Sequence, residues 1–135
     1  VARRALAFAM ACVVGACAAP AAPVCTAGES RSVIDQLYFG TARPSGGTVT
    51  ADQWAEFLGQ SVTPRFPQGL THWPASGQWQ GRGGGIVTEG AWVLTLVHAD
   101  DTAADAAVRA VMADYKSRFD QEAVLRTRSH ACTSL

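Results

Sequence analysis

The sequence predicts an α+β domain whose segments follow the order β-α-β-β-α-β. Three observations predict it. Four strand-like and two helix-like segments occur in that order. Joined by right-handed crossovers, they give a ferredoxin-like fold, with an antiparallel sheet ordered 4-1-3-2 and two helices on one face. Pro74 falls in the second strand and cannot donate to a ladder, so that strand belongs at an edge, where this order puts it. The order also sets the start of strand one beside the end of strand four, which brings Cys25 toward Cys132.

Each element has its own signals. Ser32 to Phe39 is β-branched and aromatic and reads as a strand, ended by Gly40. Arg43 to Gly47 reads as a loop. Thr50 and Gln53 have capping-box spacing, and Val49 and Trp54 stand where a hydrophobic staple stands. The helix that follows carries Trp54, Phe57, Leu58 and Val62 on one face and is stopped by Pro64. Leu70 to Trp79 is a weaker strand. Gly81 to Gly85 joins it to Ile86–His98, the strongest strand, in which Gly90 is read as a bulge. Thr102 to Phe119 is the second helix, with Ala104, Val108, Val111, Met112, Tyr115 and Phe119 on one face. Asp105 in its first turn and Lys116 and Arg118 in its last suit the helix dipole. Glu122 to Ser129 alternates less cleanly and reads as the last strand.

The chain has 135 residues, with 11 basic and 11 acidic side chains. That length allows one domain. An apolar share of 48% against 16% charged excludes a disordered chain. The absent basic surplus excludes nucleic acid as an expected partner. The first residues read as an export signal: Arg3 and Arg4 precede an apolar run from Ala5 to Ala16, too short to span a membrane. Val14-Gly15-Ala16-Cys17 resembles a bacterial lipobox. Residues 1–16 are therefore expected to be a lipoprotein-type signal peptide, with Cys17 the site of lipid attachment. The alternative is ordinary cleavage near Ala16 to Ala19, giving a soluble periplasmic or secreted protein. Residues 17–24 form an Ala/Pro tether, and 25–135 a single domain. Cleavage before Cys17 leaves 119 residues, with nine basic against 11 acidic side chains. Cys12 is lost with the signal. Cys25 and Cys132 remain and are expected to form a disulfide in an oxidising compartment.

No spacing spells out a reaction. Gly81 to Gly85 precedes a strand rather than a helix, so it reads as a hairpin and not a phosphate loop. His72, His98 and His130 lack ligand spacing, so no metal and no cofactor is expected. No nucleophile elbow is present. Asp35, Glu56, Glu89 and Glu122 are the carboxylates near predicted strands or helix ends. Trp54 reads as core, whereas Trp73 and Trp79 on the edge strand either pack on the sheet or line a groove. The strongest strand is apolar on both faces, with Trp92, Leu94 and Leu96 on one and Val93 and Val97 on the other. The helix-free face is therefore expected to be covered by a homodimer, an envelope protein partner, a ligand or the lipid surface.

Several blocks resemble a family. These are Gln36-Leu37-Tyr38-Phe39-Gly40, Trp54-x-x-Phe57-Leu58, Val62-Thr63-Pro64-Arg65-Phe66-Pro67-x-Gly69-Leu70-Thr71, Gly77-Gln78-Trp79 and Tyr115-Lys116-x-Arg118-Phe119-x-Gln121-Glu122-x-Val124-Leu125. They are similar to the bacterial domain-of-unknown-function family 3574, from about Cys25 to Cys132. Ala123 departs from it, standing where a small polar residue is expected. The resemblance implies an exported protein, often a lipoprotein, and no catalytic roles. Arg65, between Pro64 and Pro67, either holds helix-end carbonyls or offers a fork to a carboxylate or phosphate ligand. A ligand pocket is expected near Tyr38, Arg65 and Gln121, with Asp35 and Glu122 as further candidates.

The expected function is a lipid-anchored module of the bacterial cell envelope that binds a ligand or partner without catalysis. The alternative is a small envelope enzyme using a carboxylate, Arg65 or Tyr38, with its site at a dimer interface.

Overall fold

The computed structural model describes residues 24–81 and 83–135. The expected signal peptide, Cys17 and all of the tether except Val24 lie outside the described residues. The elements are β1 (Ser30–Gly40), α1 (Ala51–Phe57), β2 (Thr71–Gln80), β3 (Ile86–His98), α2 (Thr102–Phe119) and β4 (Leu125–Thr133). The sheet order is β2-β3-β1-β4, and every neighbouring pair is antiparallel. This is the ferredoxin-like arrangement that the element order predicts, with Pro74 on an edge strand.

Helix α1 begins with the capping box. The Gln53 amide N–H donates to Thr50 Oγ1 at 3.2 Å, and the Thr50 N–H donates to Gln53 Oε1 at 3.1 Å. Val49 and Trp54 are both buried, as a staple requires. One continuous helix to Pro64 was the expectation, and here the structure differs. After Phe57 the winding widens into a π-turn over Leu58–Val62, closed by the Thr63 N–H on the Leu58 carbonyl at 2.8 Å. Trp54, Phe57, Leu58 and Val62 are all buried. Their spacing suits either winding, so the pattern does not distinguish them.

Helix α2 has the expected bounds. Asp101 caps it by accepting from the Ala104 N–H at 2.7 Å, and Asp120 ends it in the left-handed region at φ 55°. Both helices cover one sheet face. Leu37 and Phe39 of β1 and Leu94 and Leu96 of β3 meet Trp54, Phe57, Val108, Val111, Tyr115 and Phe119 there. Phe39 and Tyr115 pack edge to face at 4.6 Å, and Trp54 stacks on Trp92 at 5.4 Å.

Two expectations need correction. The last strand spans Leu125–Thr133, not residues 122–129. Glu122 and Ala123 belong to the connection from α2, and Val124 is buried in the core. Gly90 makes no bulge: it pairs with Ser76 in an unbroken register. It is instead a close-approach glycine, because an added Cβ would meet Thr41 Oγ1 at 3.0 Å.

Cys25 and Cys132 are disulfide-bonded, with their Cα atoms 5.4 Å apart. The β1–β4 ladder, in which Arg31 faces Cys132, carries the two ends of the domain together. Among the described residues no helix is long and apolar enough to cross a membrane.

Candidate functional site

Strand alternation puts two polar constellations on opposite faces of the sheet. The first lies on the helix-covered face. Asp35 sits mid-β1 with Val33 and Leu37 on either side along that face, and it is fully buried. Arg126 donates to both of its oxygens at 2.8 and 2.6 Å, and Arg128 does so at 3.3 and 3.2 Å. His98 Nε2 lies 2.8 Å from Asp35 Oδ2, while its Nδ1 lies 2.8 Å from the Ala99 carbonyl. Asp105, from the first turn of α2, pairs with Arg126 at 2.8 Å and Arg128 at 2.7 Å. Burial alone would push the Asp35 carboxyl up. The hydrogen bonds from Arg126, Arg128 and His98 outweigh it and hold the group well below the usual carboxylate range. Asp105 is held at about 2, first by its bond from Arg109 and then by that from Arg126. The network ties β1, β3, β4 and α2 together, and its carboxylates are committed to arginines.

The second constellation lies on the helix-free face, at the end where the β2–β3 hairpin, the 40–44 segment and the 121–125 segment rise around the sheet. They enclose a groove of about 780 Å³, walled by Tyr38, Trp79, Val93 and Leu125 and edged by Gln121 and Glu122. That volume falls in the range of small-molecule sites, about 300–1,000 Å³. Trp79 is 46% exposed and Leu125 61%. Gly40, Ala75, Gly77 and Ala91 add small residues to the lining, and Arg43 and Glu89 add charged ones.

The polar groups of the groove are fixed. Glu89 Oε1 accepts from the Trp79 indole N–H and Oε2 from the Ala42 N–H, both at 3.0 Å. A Cβ on Gly40 would meet the Glu89 carboxylate at 2.8 Å, so only glycine lets that group lie against β1. The Tyr38 hydroxyl donates to Gln36 Oε1 at 2.6 Å. The Gln121 side-chain amide donates to the Ala42 carbonyl at 2.7 Å and binds two segments of the rim together.

A second hollow, of about 550 Å³, opens toward the other end of the sheet between Ser30, Ser32, Thr71, Thr95 and Thr133. Among the described residues no Trp, Tyr or Phe lines it.

Of the residues named from sequence, Tyr38, Gln121 and Glu122 come together at the groove. Arg65 does not: it donates to the Ser61 carbonyl and pairs with Asp114 at 3.0 Å, as the helix-end reading has it. Asp35 does not either, because it is one residue out of phase with Gln36 and Tyr38 and points to the helices. Trp54 and Trp92 pack on the helix side, whereas Trp73 and Trp79 are exposed. His72 accepts from the Trp54 indole at 3.3 Å, and His130 pairs with Asp100 at 3.1 Å. Sequence reasoning did not place Glu89 in the site. The signal was present in Gly40, the bare position that a side chain from the next strand can fill.

The family model "Protein of unknown function (DUF3574)" matches residues 34–135. No curated protein matches the chain. Among solved structures, the chain is similar to a phage SAM lyase in complex with S-methyl-5′-thioadenosine. Identity is 14% and the TM-score 0.58, over 84% of this chain and 95% of that one. The apo state of a phage SAM lyase is also similar, at 14% identity and TM-score 0.56, over 85% and 97%. At that identity the likeness establishes the shared fold.

Proposed function

We propose that this chain, which belongs to the DUF3574 family, is a ligand-binding module of the bacterial cell envelope, and that its site is the groove on the helix-free sheet face. The observation that carries this reading is the groove's construction. An exposed aromatic and aliphatic wall surrounds polar groups already held in place by Trp79, Gln36 and the Ala42 N–H. Binding to a preformed site avoids much of the ordering cost of association. Binding without catalysis is favoured because the buried carboxylate of Asp35 lies on the other face and is committed to Arg126 and Arg128.

Trp79 gives the test. Small-molecule fragments that bind the protein are expected to bind Trp79→Ala about tenfold more weakly, the loss typical of an aromatic hot spot. The melting temperature should change little, because the ring is half exposed on an edge strand. Unchanged fragment affinities in the variant would refute the reading.

An enzymatic reading draws on the likeness to the phage SAM lyase. Release of S-methyl-5′-thioadenosine from SAM by the purified protein would favour it over binding alone.

The N-terminal sequence supports a lipid anchor at Cys17, with soluble export as the alternative. The Cys25–Cys132 disulfide suits an oxidising compartment. Cys17→Ser is expected to move the protein from the membrane fraction to the soluble fraction. An unchanged distribution would defeat the anchor.

A further inference from the structure

Building on the groove reading, we infer that the groove's ligand is an organic monocation whose charge docks against Glu89. Glu89 is partly buried, and each of its oxygens accepts one neutral N–H, from Trp79 and from the Ala42 backbone. An ionised carboxylate has acceptor capacity for about four donors, so half of it is left for an occupant. Among the described residues no Lys, Arg or His forms an ion pair with Glu89. Arg43, on the same rim, is turned elsewhere: its guanidinium donates to Gln53 at 2.9 Å and lies 5.3 Å over the Phe119 ring. A negative charge thus faces an aromatic-walled groove, and among the described residues the rim cation, Arg43, is directed at Gln53 and Phe119 rather than at Glu89. In a partly desolvated site such a charge strengthens its attraction for a cation. Trp79 and Tyr38 line the same groove and add the π-faces that cations favour. Val93 and Leu125 suit an apolar or planar body on the same ligand. The class is an ammonium, sulfonium or guanidinium group joined to such a body.

Three probes of one shape test the charge: 2-phenylethylammonium, 2-phenylethanol and phenylacetate, followed through the Trp79 indole N–H resonance. The cation is expected to bind about tenfold more tightly than the alcohol, and the anion more weakly than both. Glu89→Gln keeps an acceptor for the indole and removes the charge. It is expected to cut the cation's affinity about tenfold and to change the alcohol's by much less, so that the preference for the cation is lost. The wild-type protein supplies a check independent of the variant's folding: added salt should weaken the cation and not the alcohol. Equal binding of cation and alcohol, or a preference that survives Glu89→Gln, overturns the inference and leaves the groove reading standing. If no probe moves the Trp79 resonance, both fall.

Discussion

Replacing Asp35 by alanine is expected to destabilise the domain by about 3–5 kcal/mol, the range for breaking a buried ion pair from one side. The side chain is fully buried, and Arg126 is 15% exposed. Without Asp35, among the described residues Arg126 and Arg128 retain only Asp105 as an ion-pair partner, and His98 retains only the Ala99 carbonyl as a hydrogen-bond partner. The variant therefore leaves positive charges clustered under α2 without the central anion. Asparagine, nearly the same shape, should lose most of the same stability, which separates lost charge from lost volume. A pH series gives the second readout. The folded-state group is depressed below its unfolded value of about 4, so its contribution is present above that pH and is lost as pH falls toward the folded value. The wild-type melting temperature should decline below about pH 4 more steeply than that of Asp35→Asn. A variant within about 1 kcal/mol of wild type, with a parallel acid limb, would show the network to be a surface ornament.

The second large effect concerns the disulfide. Cys25 and Cys132 are 107 residues apart in sequence and close nearly the whole domain into a loop. Removing such a bridge costs about 2–5 kcal/mol, much of it through the wider conformational freedom of the unfolded chain. For a domain of about this size, that lowers the melting temperature by roughly 10 °C or more. Paired Cys25→Ser and Cys132→Ser substitutions and reduction of the wild-type protein should give the same drop. The β1–β4 ladder remains in both cases, so the fold should persist at low temperature. A reduced protein that melts with the oxidised one would contradict this account.

What the sequence discloses follows from which residues fill each element's buried face. Strand β3 and helix α2 are legible to the residue, because Trp92 to Val97 is apolar but for Thr95 and Asp101 caps a clean helical face. Strand β4 is harder to read. Its helix-facing positions are Arg126, Arg128, His130 and Cys132, which are satisfied by carboxylates and a disulfide rather than by apolar packing. Hydrophobic alternation therefore has nothing to report there, and the start of the strand is misplaced by three residues. The same ion pairs explain Asp35. Period-two alternation alone separates it from Gln36 and Tyr38, but its partners come from strands far along the chain. The groove is half legible. Tyr38 and Gln121 fall within family motifs, whereas Glu89 becomes a site residue only when β3 is laid beside Gly40 and Trp79.

Small molecules are expected to bind on the helix-free face beside Trp79. The most direct test is a crystal structure of the protein isolated from cell extract with whatever ligand it retains. Density is expected between Tyr38, Trp79 and Leu125, with a positive group at Glu89. Density instead in the hollow beside Ser32 and Thr133, or a second copy of the chain closing the groove, would contradict it.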